Sequence, residues 1–222
     1  PVPRRRCAEH RYAHLGRKSG DKQSKLMRHT NRVLAALLGL GLASAGLAAL
    51  AQPSAGPSTG ITFRNTVTGE ELNVSEGKEG GRDTPAVKEF FQTGKNLYID
   101  DKSCLRNGES LFATSCSGCH GHLAEGKLGP GLNDNYWTYP SNTEDTGLFA
   151  TIFGGANGMM GPHNENLTPD EMLQTIAWIR HLYTGPVQDA VWLNDEQKKK
   201  YTPYKQGETF PKDAPGQCPP LE

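Results

Sequence analysis

Cys116-Ser117-Gly118-Cys119-His120 has the C-x-x-C-H pattern that is typical of covalent haem attachment. Each thiol can add to one vinyl group of a haem, because the two-residue gap brings both sulfurs to the same edge of the porphyrin. The adjacent imidazole then falls under the iron as its proximal ligand. We therefore predict one covalent haem c, attached through Cys116 and Cys119, with His120 bound to the iron.

Other uses of this cysteine pair are less well supported by the surrounding sequence. A zinc site needs two further ligands at workable spacing, and only His122 is near. A redox-active disulfide of the thioredoxin type is expected in a βαβ setting, which the Gly-rich sequence downstream does not provide. A chance pairing of cysteines is the remaining alternative.

Residues 27–51 have the composition of a signal peptide. A short basic stretch from Met27 to Arg32 precedes the uncharged run Val33–Ala51, which ends in small residues that a signal peptidase accepts. We therefore predict export and removal of this segment. A retained membrane anchor is the alternative, since the uncharged run is 19 residues long and could nearly span a bilayer. Residues 1–26 are predicted to be mis-assigned sequence upstream of a start at Met27.

The formal net charge of zero conceals an uneven distribution of charged residues. Residues 1–51 hold ten Lys and Arg but two acidic residues, which leaves 14 basic against 22 acidic side chains beyond them, a net charge of −8. Nucleic acid and anionic membranes both need a basic face, so neither is expected as the main partner. We predict a protein partner with a basic surface.

The two cysteines that the haem leaves unused, Cys104 and Cys218, are predicted to pair. An even number of thiols in an oxidising compartment favours a disulfide. Such a bridge would tie the segment after Tyr183 back to the haem domain. Two free, buried cysteines are the alternative.

The loop Gly154–His163 is the predicted source of a second axial ligand, since its glycines allow the backbone to approach a flat porphyrin. Met160 is the preferred sixth ligand, because Gly161-Pro162 stiffens the chain directly behind it. His163 is the alternative ligand, and an ordinary surface turn is the non-functional interpretation. Met159 is then expected to be a packing residue.

Capping patterns predict helices that begin near Pro85, Asn107, Thr143 and Pro169. The last of these, opened by Thr168-Pro169-Asp170-Glu171, places the apolar residues Met172, Ile176, Ile179 and Tyr183 on one face. The chain beyond residue 51 is long enough to form one hydrophobic core. We predict an N-terminal extension with a first helix (52–93), a haem domain (94–186) and a C-terminal extension (187–222).

Several blocks of the sequence resemble cytochrome c-L, a family of monohaem cytochromes that accept electrons from quinoprotein methanol dehydrogenase in the periplasm of methylotrophic bacteria. The resemblance covers about Cys104 to Thr202. The blocks are Cys116 to His122, Gly129-Pro130-Gly131-Leu132-Asn133-Asp134, Tyr136-Trp137-Thr138-Tyr139-Pro140, Gly147 to Met160, Asp170-Glu171-Met172-Leu173 and Ala177-Trp178-Ile179-Arg180-His181-Leu182-Tyr183.

This resemblance implies an all-α, class I cytochrome c core with a tail tied back by a disulfide, and a calcium ion near a haem propionate. It implies an electron-transfer protein of methanol metabolism that is reduced by methanol dehydrogenase and passes electrons to a smaller cytochrome or an oxidase. Tyr136, Trp137 and Tyr139 are candidates to line the haem cleft or border its exposed edge, and aromatic packing in the core is the alternative. The alternatives are a haem enzyme of the peroxidase type, with an open sixth position, and a cytochrome partner of a different periplasmic dehydrogenase.

Overall fold

The computed structural model describes residues 60–221, so the predicted upstream sequence (1–26) and signal peptide (27–51) lie outside it. Its helices are α1 (Pro85–Thr93), α2 (Lys102–Ser115), α3 (Ser117–His120), α4 (Asp145–Gly154), α5 (Pro169–His181) and α6 (Asp195–Lys200). Short 3-10 helices lie at Pro140–Thr143 and Val187–Asp189. Between residues 60 and 221 the β pairing is a single antiparallel bridge from Arg64 to Glu71. The prediction of an all-α fold is therefore confirmed for this part of the chain.

The caps that predicted α1 and α5 are present. The side chain of Thr84 accepts the N–H of Val87 at the start of α1, and Gly94 ends this helix in the left-handed conformation with φ of 76°. At α5, Thr168 and Glu171 form a reciprocal capping box, so two otherwise unpaired backbone N–H groups are satisfied. These side-chain contacts explain why both helices begin where the sequence indicated.

Helix α2 begins five residues before the predicted position at Asn107. The carboxylate of Asp101 accepts the backbone N–H groups of Ser103 and Cys104 at 3.0 and 3.3 Å, which fixes the first turn at Lys102. Asp at an N-cap position is a recognisable signal. The predicted start at Asn107 was therefore wrong, because the Asp101 cap sets the beginning of the helix at Lys102.

Helices α2 and α5 cross at close range and form the centre of the fold. Gly108 on α2 faces the backbone of Gln174 on α5, and a side chain larger than hydrogen would collide there. The apolar residues predicted to share one face are all buried, three of them on α5 and the last just beyond its end: Met172, Ile176, Ile179 and Tyr183. This crossing positions the end of α2, from which the C-x-x-C-H motif continues.

Four phenylalanines join the N-terminal segment to the same core. Phe63, which precedes α1, lies 5.8 Å from Phe90 and 5.0 Å from Phe149 between ring centroids. Phe91 completes the cluster at 5.6 Å from Phe63. Because Phe149 belongs to α4, the segment before α1 packs against the helix that leads into the predicted ligand loop.

The C-terminal segment is fastened to the start of α2. The predicted disulfide between Cys104 and Cys218 is present, with a sequence separation of 114 residues. Beside it, the backbone N–H of Gln217 donates to Asp101 at 2.9 Å, and that of Cys218 donates to Ser103 Oγ at 3.1 Å. Asp101 therefore caps α2 and anchors the tail at the same time.

None of the helices between residues 60 and 221 is long and apolar enough to cross a bilayer.

Candidate haem site

The C-x-x-C-H motif lies at the turn from α2 into α3. The N–H of Cys116 bonds to Phe112 O as the last turn of α2 closes, and His120 ends the single turn of α3. Cys116 is half-buried and Cys119 is exposed, and neither belongs to the disulfide. Burial raises the pKa of Cys116 to about 12, with the nearby Cys119 as a second cause.

The ring of His120 is held by the backbone of the segment that follows it. Its Nδ1 lies 2.8 Å from the carbonyl oxygen of Pro130, which can only accept a hydrogen bond. Nδ1 must therefore carry the proton, and Nε2 of the neutral ring keeps its lone pair for a metal. A Cβ on Gly129 would lie 2.8 Å from Cε1 of His120, so only glycine lets this backbone pack against the ring.

Two adjoining cavities open beside His120, with volumes of about 530 and 220 Å³. They share Cys116, His120, Pro130, Asn157 and Met160 in their walls. Volumes of this order suit a bound prosthetic group. Two thiols in the wall, a histidine with Nε2 available and largely apolar surroundings are the features that a covalently attached haem requires, so the residues present fit this group.

The aromatic residues proposed for the cleft divide into two groups. Trp137 and Tyr139 line the smaller cavity, together with apolar residues of α4 and α5. Tyr139 also accepts the N–H of Asn157 through its hydroxyl at 3.2 Å, which ties it to the predicted ligand loop. Tyr136 lines neither cavity and is 70% exposed.

Met160 and His163 both line the larger cavity, and Met160 also lines the smaller one. Each is half-buried. The loop is fixed at both residues, since Met160 O accepts from Ala156 N at 2.9 Å and His163 N donates to Ile152 O at 3.0 Å. Burial lowers the pKa of His163, and repulsion from His120 when that ring is protonated is a second cause. This favours the neutral imidazole, which is the form that binds a metal.

Met159 is 79% exposed, so the expectation that it packs inside the protein was wrong. The glycine before it, Gly158, has φ of +79° and turns the chain outward, with open space around the position of a Cβ. The neighbouring methionine, Met160, is half-buried and lines both cavities, whereas Met159 lines only the larger one.

A buried ion pair lies next to the wall of the smaller cavity and was not predicted from the sequence. Arg180 donates through Nε to Asp145 at 2.8 Å and through Nη2 to Asn142 O at 2.9 Å. Its guanidinium carbon lies 4.9 Å from the ring of Trp137, which lines the smaller cavity. Removing either charge would leave the other buried without an opposite charge, which is strongly destabilising.

The expected calcium ion finds no support in the described structure. Between residues 60 and 221 there is no group of three or more His, Cys, Asp or Glu side chains that could hold a metal ion.

Comparison with known sequences places this site in context. A family model described as cytochrome c oxidase, cbb3-type, subunit III matches residues 104–179. The chain is 83% identical over 196 residues to cytochrome c-L of Methylorubrum extorquens, an alignment that covers 88% of this chain and 100% of that protein.

Two solved structures resemble the fold. Cytochrome cL from the marine methylotrophic bacterium Methylophaga aminisulfidivorans aligns with a TM-score of 0.63 and 55% identity, covering 67% of this chain and 98% of that chain. Cytochrome cL from Hyphomicrobium denitrificans aligns with a TM-score of 0.61 and 61% identity, covering 65% of this chain and 87% of that chain.

Proposed function

The chain belongs to the cytochrome c-L family, and on that premise we propose that it is a periplasmic monohaem cytochrome that accepts electrons from a quinoprotein methanol dehydrogenase. The fold predicted from the sequence, a class I cytochrome c core, is confirmed by the two related crystal structures. The protein is an electron-transfer protein of methanol metabolism and carries haem c.

The geometry supports a role for each site residue. Cys116 and Cys119 would hold the group through thioether bonds, and His120 would bind its iron through Nε2. The Pro130 carbonyl fixes the tautomer and the orientation of that ring through the 2.8 Å hydrogen bond to Nδ1. When bound, the haem supplies one-electron chemistry at its iron. The polypeptide contributes position, an apolar surrounding and control of access.

The sixth ligand comes from the loop between α4 and α5. Met160 is the first choice, because it lines both cavities and therefore reaches the region where they meet. His163 is the alternative, supported by its place in the larger cavity and by its lowered pKa. A thioether ligand raises the reduction potential and favours ferrous iron, whereas a second imidazole lowers it.

The partners are proposed from charge and family. The acidic composition beyond residue 51 favours encounter with a basic protein surface, at rates that fall as salt is added. Methanol dehydrogenase is the proposed donor, and a smaller cytochrome or an oxidase is the proposed acceptor. The match of residues 104–179 to an oxidase subunit family supports an acceptor of that kind.

The observation that carries this proposal is the 83% identity to a cytochrome c-L over nearly the whole chain. It is tested by mixing the oxidised holoprotein with purified methanol dehydrogenase and methanol in a stopped-flow spectrometer. The proposal expects rapid appearance of the reduced haem spectrum, and no reduction when methanol is left out. Reduction by another periplasmic dehydrogenase alone, or turnover of peroxide at an open iron, would overturn it in favour of the alternatives.

A further inference from the structure

A third cavity, of about 250 Å³, is lined by residues of α2, the end of α5 and the C-terminal segment that follows α5. Within the described residues it shares no lining residue with the two cavities beside His120, so a haem bound there does not fill it. Electron transfer at the haem gives this cavity no role. Its volume suits a small molecule.

Two buried hydrogen-bond donors belong to residues that line this third cavity. Arg180, whose side chain is 1% exposed, uses Nε for Asp145 and Nη2 for Asn142 O, but its Nη1 has no acceptor within residues 60–221. Trp192 lies with its ring 4.0 Å from the Arg180 guanidinium carbon, and its indole Nε1 also has no acceptor in that part of the chain. Guanidinium and indole N–H groups can only donate, and leaving them unpaired is costly. A molecule in the cavity is therefore expected to supply an acceptor.

The charged residues around the cavity favour a negatively charged molecule. Lys102 and Lys200 line it, both are exposed, and neither forms an ion pair with another described residue. The acidic residues of the lining already have partners, since Asp100 accepts a side-chain hydrogen bond at 3.0 Å and Glu208 lies 3.2 Å from His181. In a chain with a net charge of −8 beyond residue 51, two unpaired lysines at one cavity attract an anion.

The rest of the wall is apolar. Leu105 on α2 is 3% exposed, and Leu193 in the C-terminal segment is 5% exposed. Phe210 lines the same cavity. An inorganic anion would leave these side chains without an apolar contact, whereas a molecule with one charged end and a short hydrocarbon body matches both parts of the lining.

We propose that the third cavity binds a small organic carboxylate. Its oxygens accept from Arg180 Nη1 and Trp192 Nε1, because a carboxylate is the acceptor that a guanidinium pairs with best. Its hydrocarbon body lies against Leu105 and Leu193, and the lysines at the opening attract it. This inference goes beyond the proposed function, and neither depends on the other.

The experiment adds butyrate to the reduced, ¹⁵N-labelled holoprotein and follows the indole N–H signals by NMR. Trp192 is assigned as the signal that is missing in Trp192→Phe. We expect that signal alone to shift and to saturate, while those of Trp137 and Trp178 stay in place. Butyrate should bind about tenfold more tightly than acetate, because it buries two more methylene groups. Equal binding of butyrate and acetate, or of butyrate and inorganic phosphate, would overturn an organic ligand. A Trp192 signal that none of these anions moves would mean that the cavity holds only water.

Three variants with an intact fold complete the test, and their affinities are read from the backbone amide signals of Leu193 and Thr202. Trp192→Phe keeps the ring but removes the donor, so binding of butyrate should weaken about tenfold. Lys102→Gln and Lys200→Gln should each weaken it about twofold to fivefold.

Lys95→Gln is the matched control, since Lys95 is exposed and lines none of the three cavities. It changes the net charge equally and should leave the affinity for butyrate unchanged. An equal loss in Lys95→Gln would reduce the effect of the lysines to general charge and contradict the site. Unaltered affinity in Trp192→Phe would contradict the proposed hydrogen bond. An unchanged haem absorption spectrum in every variant confirms that the fold and the haem site are retained.

Discussion

Gly108 and Gln174 bring the backbones of α2 and α5 into direct contact. A Cβ on Gly108 would lie 2.1 Å from the carbonyl oxygen of Gln174, a distance that no real side chain adopts. The contact lies two turns before Cys116, so the position of the haem motif depends on how closely these two helices approach each other.

Substituting Gly108→Ala should therefore lower the free energy of unfolding by about 2 kcal/mol or more, because the helices must move apart. In an unobstructed helix, the same change stabilises by roughly 0.5–1 kcal/mol. Gly118→Ala is the matched control, since a Cβ there meets nothing within 4 Å. Chemical denaturation measures the free energy of unfolding of both variants. Equal values would show that α2 and α5 do not approach each other closely at Gly108.

The disulfide between Cys104 and Cys218 should contribute strongly to stability. Its separation of 114 residues predicts roughly 4–5 kcal/mol in the chain-entropy account, which the double variant Cys104→Ala/Cys218→Ala should lose. Non-reducing digestion of the wild type should yield one linked peptide that contains both residues. Two alkylatable thiols at these positions in the native protein would contradict the pairing.

Asp101 should make the fold sensitive to acid. Burial opposes its ionisation, but hydrogen bonds from Ser103, Gln217 and Cys104 outweigh this and lower its pKa below the ordinary value. A lowered pKa in the folded state contributes stability that is complete above the pKa of the unfolded chain and is lost as pH falls through the folded value. Asp101→Asn should therefore flatten the loss of stability below about pH 4. An unchanged acid-unfolding curve would show that Asp101 does not link the tail to α2.

The sixth ligand is distinguished by two single variants. If Met160 binds the iron, Met160→Ala should abolish the weak sulfur-to-iron absorption band of the oxidised protein and lower the reduction potential. His163 should then occupy the position and give a low-spin bis-histidine spectrum, while His163→Ala alone leaves the sulfur band intact. If His163→Ala removes the low-spin character and Met160→Ala is silent, His163 is the native ligand.

The local parts of the fold were predictable from sequence because their signals are local. Thr84-Pro85 and the capping box at Thr168 each lie within one helical turn of the backbone groups that they satisfy. The start of α2 was misplaced although Asp101 supplied the same kind of signal. An N-cap aspartate is therefore as local a signal as the two caps that predicted α1 and α5.

The long-range parts of the site carry no comparable signal. Asp145 and Arg180 are 35 residues apart, and their pairing depends on how α4 packs against α5. Likewise, the role of Pro130 is carried by a carbonyl group that every residue has, so the residue type does not indicate it. The difference in exposure between Met159 and Met160 is likewise not indicated by their shared residue type.

The central claim is that Cys116, Cys119 and His120 hold one covalent haem. It is tested most directly by measuring the intact mass of the protein purified after export, together with its pyridine haemochrome spectrum. We predict a mass gain of one haem per chain and the pyridine haemochrome spectrum of a haem with two thioether bonds. In Cys119→Ala, the mass gain of one haem per chain should be lost. A chain with the mass of the bare polypeptide and two alkylatable thiols at Cys116 and Cys119 would contradict it.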